Sequence, residues 1–192
     1  MGRYVFLMTA LAVTVAADAK AQPAAARIRP VGDADAAVVA DAACRSATVR
    51  SMVARLEASD VIVYVTMRPM RNRAIAGGLE FVAATATDRV LRVVLAFPLD
   101  RVSRIAMLGH ELQHAVEVAD APEIRSRAQF EAHYQSHGIE GAAAGAHETD
   151  RARLAERRVR AELHAGPAEN CGAAPREQAA ALGDRPPVYS AR

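Results

Sequence analysis

Residues 79–119 read LEFVAATATDRVLRVVLAFPLDRVSRIAMLGHELQHAVEVA. The hydrophobic period changes inside this stretch. Leu79–Thr87 and Arg89–Phe97 are rich in β-branched and large apolar residues and read as strands. Their connection near Thr87-Asp88 is tight enough for an antiparallel hairpin. Pro98 ends the sheet region. From Arg101 to Ala119 the apolar residues recur at three- and four-residue steps, the signature of a helix that Asp100 or Ser103 can cap. Ile105, Leu108, Leu112, Ala115, Val116 and Ala119 fall within an arc of about 100° and form its core face.

Working outward, Val61–Thr66 (VIVYVT) is a third strand candidate, separated from the hairpin by a loop over Arg68–Gly78. Ahead of it, Asp33–Ser59 carries the helical period through Val38, Ala42, Val49, Met52, Val53 and Leu56, with Asp33 or Asp35 to cap its start. Behind the central helix come Glu123–His137, a Gly/Ala loop over Ile139–Ala146, and Glu148–His164, which again reads as helix. The expected class is α+β: an N-terminal helix, a three-stranded antiparallel β-meander, the central helix and C-terminal helices. Residues 33–165 make the domain, 22–32 a linker, and 166–192 a flexible tail rich in Pro, Ala and Gly.

The first residues, MGRYVFLMTALAVTVAADAKA, have a basic start, an apolar run and the small-residue pattern Ala19-Lys20-Ala21. This is a signal peptide over residues 1–21, which implies an exported chain, periplasmic or secreted, with no membrane association after cleavage. The 192 residues hold 52% hydrophobic residues and no Trp, so the core is built of small aliphatics. The net charge of +2 is spread along the chain and aromatics are sparse, which gives nucleic-acid binding no support. In an oxidising compartment the two cysteines, Cys44 and Cys171, read as a disulfide.

His110-Glu111-Leu112-Gln113-His114 has the form HExxH. On a helix the two histidines lie about 40° apart and can reach one cation. Glu111 is about 100° round from His110, beside the ion rather than on it. From there it can hold a zinc-bound water and take its proton, while zinc acidifies that water and polarises a carbonyl. The histidines lie opposite the core face of the helix. A catalytic zinc takes three protein ligands. Glu148 is the choice for the third, because it heads the apolar face of Ala152, Ala155, Val159 and Leu163, where an unpaired carboxylate is costly. Glu140 and then Glu123 are the alternatives. Glu117 shares the histidine face about 10 Å along the axis from His110 and suits a partner of His114. Asp150 can cap the last helix or hydrogen-bond a ligand histidine.

Met107–Val116 resembles the extended zincin consensus, and the order of helix, meander, HExxH helix and later glutamate helix resembles a small gluzincin (minigluzincin) metallopeptidase domain. Glu117 and Asp120 stand where a metzincin needs Gly and His. The resemblance implies His110, His114 and a glutamate as Zn²⁺ ligands, Glu111 as general base, and a peptide or protein substrate. It also implies an edge strand within Leu79–Phe97 that holds the peptide by backbone pairing. Tyr134 or His147 would stabilise the oxyanion, as a Tyr or His does in many zincins. His133 and His137 are also four apart but lack a flanking glutamate, so they offer at most a second metal site. Arg68, Arg71 and Arg73 would suit an acidic substrate. The leading expectation is an exported zinc peptidase. A zinc amidase acting on cell-wall peptide shares its chemistry, and a non-enzymatic envelope module with a structural metal is the alternative.

Overall fold

The computed structural model describes residues 26–72, 74–137 and 148–166. The expected signal peptide, Arg73, Glu140, His147, Cys171 and all of the expected tail beyond Gly166 lie outside the described residues. Four strands, β1 (Ile28–Pro30), β2 (Val61–Arg68), β3 (Gly77–Ala84) and β4 (Arg89–Ala96), combine with five helices. The helices are α1 (Asp33–Arg45), α2 (Ala47–Glu57), α3 (Arg101–Asp120), α4 (Arg127–His137) and α5 (Asp150–Ala165). The class is mixed α and β.

The sheet order is β1-β2-β4-β3, which replaces the expected antiparallel meander. β3 and β4 do form the antiparallel hairpin, but β2 pairs with β4, in parallel, and not with β3. The reason is burial. β2 and β4 carry near-continuous apolar runs that suit central strands, whereas β3 opens with two glycines and exposes Val82, which suits an edge. The expected linker also needs correction. Ile28 is buried and Ile28–Pro30 pairs in parallel with Val63–Val65 of β2, adding a short edge strand.

The expected first helix is two helices. Ser46 adopts extended backbone and its side chain accepts the Val49 N–H, which caps α2. Glu162 of α5 accepts from both hydroxyls of Ser46 and Thr48 and pins that break. A serine satisfies orphan N–H groups better as an N-cap than as a mid-helix residue. At the start of α1, Asp35 rather than Asp33 works: one carboxylate oxygen accepts the Gly32 N–H and the other accepts the Met67 N–H of β2.

One face of the sheet, lined by Val61, Val63, Val65, Leu91, Val93, Leu95, Leu79 and Phe81, packs on Ile105, Leu108, Leu112 and Ala115 of α3. α3 is buried on its other side as well, by α5, α1 and α2, so it is the central element rather than a half-exposed one. Its C-terminal end has no glycine cap. Instead Arg89, 1% exposed, donates to the carbonyls of Val118 and Ala121 at 2.5 and 2.7 Å and pairs with Asp60 at 2.6 Å. A guanidinium thus satisfies the last carbonyls and ties α3 to β4. Among the described residues no helix is long and apolar enough to cross a membrane.

Candidate metal centre

Asp100 accepts the Ser103 N–H and starts α3, which then carries His110, Glu111 and His114 into the interior. The two Nε2 atoms face each other at 3.2 Å, and Glu148 Oε1 lies 3.6 Å from His110 Nε2. The three ligand atoms all lie within 4.8 Å of one another, and this is the group among the described residues that could hold a metal ion. A tetrahedral ion with bonds of about 2.0–2.1 Å needs donors about 3.3–3.4 Å apart. The donor set is two imidazoles and a carboxylate, with Glu148 Oε1 buried and lacking any hydrogen-bond partner. An unsatisfied buried acceptor costs about 1–3 kcal/mol, which a cation between the three groups would remove. The residues fit a divalent ion.

The histidines are buried, at 6% and 1% exposure, which corrects the expectation that their side of the helix stands clear of the core. α5 covers them. The close approach depends on Gly109, where an added Cβ would sit 2.7 Å from Val159 Cγ2. Glu148 reaches the site by a route other than the expected one. α5 begins at Asp150 with Thr149 as its N-cap, so Glu148 precedes the helix and heads no apolar stripe. The capping hydroxyl has a second use, donating to Glu117 Oε1 at 2.8 Å.

Each histidine has a carboxylate behind it. Glu117 Oε2 lies 3.0 Å from His114 Nδ1. Glu156 Oε2 lies 3.4 Å from His110 Nδ1, off line for a hydrogen bond, while Arg160 holds the other Glu156 oxygen at 2.9 and 3.0 Å. The Glu117 bond favours the His114 tautomer whose Nε2 is bare, whereas His110 Nδ1 has no hydrogen-bond partner. Burial, then the charge of His114, pulls the His110 pKa down, which favours the neutral, ligating form. Burial raises the Glu117 pKa, but the hydrogen bond and charge of His114, the Thr149 hydrogen bond and the charge of Arg151 together outweigh it and hold the carboxyl below its usual range. Glu111 is buried at 4% exposure, and burial pushes its pKa up to about 7. Its Oε1 lies 2.9 Å from where a Gly77 Cβ would stand, so a residue without a side chain lets edge strand β3 pass beside it.

The remaining candidates fall elsewhere. Asp150 is exposed in the first turn of α5; it neither caps that helix nor touches the histidines. Tyr134 packs edge-on against His114, and its hydroxyl donates to the His114 carbonyl at 3.1 Å. The hydroxyl also lies 3.5 Å from Glu117 Oε2, so Tyr134 supports His114 from behind. Burial, followed by the charges of Glu117 and Glu111, raises its pKa. Glu123 is exposed. His133 stacks edge-on with Tyr134 and, with Glu117, Asp120 and Thr149, borders a pocket of about 440 Å³; the His137 side chain lies outside the described residues. Arg68 is paired with Glu80 at 2.8 Å, and Arg71 is exposed. Cys44 is disulfide-bonded, and the chain's other cysteine, Cys171, lies outside the described residues. Sequence reading passed over Glu156, Thr149, Gly109 and Gly77. For Glu156 a signal existed: a ligating His110 needs an acceptor on its second nitrogen. In comparisons with family models, curated proteins and solved structures, nothing matches this chain.

Proposed function

We propose that this chain is an exported zinc peptidase with a gluzincin-like site. The observation that carries the reading is the convergence of His110, His114 and Glu148 on one point, with Glu111 beside it. His110, His114 and Glu148 would hold the ion, which when bound supplies polarisation of a carbonyl and acidification of water. Glu111 takes the proton from the attacking water and passes it to the leaving amine. Its raised pKa, about 7, suits both steps near neutral pH. Glu117 orients the His114 imidazole, and Glu156 stands beside that of His110. β3 lies at the sheet edge, and a peptide added along it would pass Gly77 and the Glu111 carboxylate.

Metal analysis and peptide hydrolysis on the purified chain test this. About one zinc per chain is expected, with hydrolysis lost on chelation. Glu111→Gln should keep the metal and lose hydrolysis. A fully folded wild-type chain that takes up no zinc, or a Glu111→Gln variant as active as wild type, refutes the reading.

A further inference from the structure

Among the three donor residues Glu148 has the most exposed side chain, at 17% against 8% for His110 and 2% for His114. Glu148 stands immediately before the N-cap of α5, with its Oε1 buried. Arg153 stands there, its side chain 39% exposed and its Nε 3.5 Å from Glu148 Oε1. No other arginine among the described residues makes an ion pair with a donor residue. The contact is not a hydrogen bond, since Glu148 Oε1 has no such partner, so the guanidinium keeps its donors. Arg160, by contrast, has two nitrogens on Glu156. Helix stability does not account for Arg153, because a cation near the start of a helix opposes the macrodipole.

The charge balance gives the arginine a use. Glu111, Glu117, Glu148 and Glu156 crowd the centre, and a substrate oxygen that becomes negative enters their field. Tyr134, which could have met that oxygen, is turned to the His114 carbonyl. We propose that Arg153 is a catalytic residue that holds the oxyanion of the attacked amide; this rests on the peptidase reading above. As the water oxygen bonds to the carbonyl carbon, Glu111 takes the water proton and the C=O electron pair moves onto oxygen, where the Arg153 N–H groups meet it. The pair returns as the C–N bond breaks, and the amine leaves with the proton from Glu111. Removing one such donor costs about 100–1,000-fold in kcat.

The same geometry recognises any small oxyanion, so inorganic phosphate serves as a probe that needs no turnover. The full chain, loaded with zinc or with cobalt for its visible spectrum, is compared as wild type, Arg153→Gln and Arg153→Lys. Arg153→Gln is expected to keep zinc affinity, to weaken phosphate binding by about tenfold or more, and to lose about 100-fold in kcat with little change in KM. Arg153→Lys should recover part of the phosphate affinity. Unchanged phosphate affinity in the loaded Arg153→Gln protein overturns the inference, as does a variant that loses only zinc affinity, which would make Arg153 a prop for Glu148. Wild-type protein that binds metal but cleaves nothing sinks the peptidase reading, and the phosphate result then stands alone as evidence for or against the subsite. Wild-type protein that takes up no metal sinks both.

Discussion

Gly109→Ala tests whether the metal centre depends on how closely α5 lies against α3. The new Cβ would fall 2.7 Å from Val159 Cγ2, where two carbons prefer about 3.5–4.0 Å, a shortfall of about 1 Å. Val159 is fully buried and, being β-branched in a helix, has one strongly preferred rotamer, so it cannot swing aside. α5 must move. Overpacking costs about 1–3 kcal/mol, and replacing an interior helical glycine returns about 1 kcal/mol, so the net destabilisation is about 0–2 kcal/mol and the fold survives. The donors suffer more. His110 rides on α3 next to Gly109, whereas Glu148 rides at the head of α5, 3.6 Å from His110 Nε2. A 1 Å separation takes that gap to about 4.6 Å, away from the about 3.3–3.4 Å that a tetrahedral ion needs, so the side chains must close a larger gap before Glu148 can bind. Glu148 is weakened as a ligand. Zinc affinity, read by competition with a chromogenic chelator, should fall by about 100-fold or more, since even an outer-sphere change costs about 10–100-fold. Adding Val159→Ala removes the clash and should restore most of the affinity in a less stable protein. A Gly109→Ala chain that binds zinc like wild type, or a double variant that fails to recover, refutes the reasoning.

Glu117→Gln keeps the shape but weakens the hold on His114 Nδ1, so zinc affinity should drop by about 10–100-fold with the circular dichroism spectrum unchanged; an unaltered affinity would leave Glu117 a spectator. Glu111→Gln should stabilise the metal-free chain in a pH-dependent way. Burial raises the Glu111 pKa from the usual 4.5 to about 7, so the folded state binds the extra proton between those values and wild-type stability falls as pH rises through that window. The shift corresponds to about 3 kcal/mol. Denaturant titrations of the two chains should diverge from pH 4.5 to 7 in favour of Glu111→Gln and run parallel above; equal stability at pH 7.5 would contradict the burial argument. Arg89→Met should cost about 3–5 kcal/mol, because Asp60 and the last α3 carbonyls lose their shared donor; a loss below about 1 kcal/mol would show that water replaces it.

Local patterns carried the element types, and they fell short wherever pairing or packing partners decided the outcome. The hairpin of β3 and β4 was legible because its turn and both strands are contiguous in sequence. The parallel neighbourhood of β2 and β4 was not, since a strand's period reports which residues share a face and says nothing of which strand lies alongside. Three strand candidates in a row, the last two joined by a tight turn, pointed to a meander. β1 was hidden for a related reason. Three residues, the last of them Pro30, carry almost no period, and what makes them a strand is the β2 edge they meet.

The site separates in the same way. His110, Glu111 and His114 were legible because the helix alone fixes their mutual geometry. Glu148 was chosen by a wheel argument for a helix it does not belong to, and it reaches the donors because Thr149, the N-cap, starts α5 at that point. That difference has a physical consequence. A ligand inside a helix is held by its neighbours' hydrogen bonds, whereas one ahead of the N-cap depends on the cap. Thr149 accepts the Ala152 N–H and donates to Glu117, which in turn holds His114. One hydroxyl therefore fixes the backbone next to the third donor and the orientation of the second. The cap, a feature usually worth about 1 kcal/mol of helix stability, here links His114, through hydrogen bonds, to the backbone that carries Glu148.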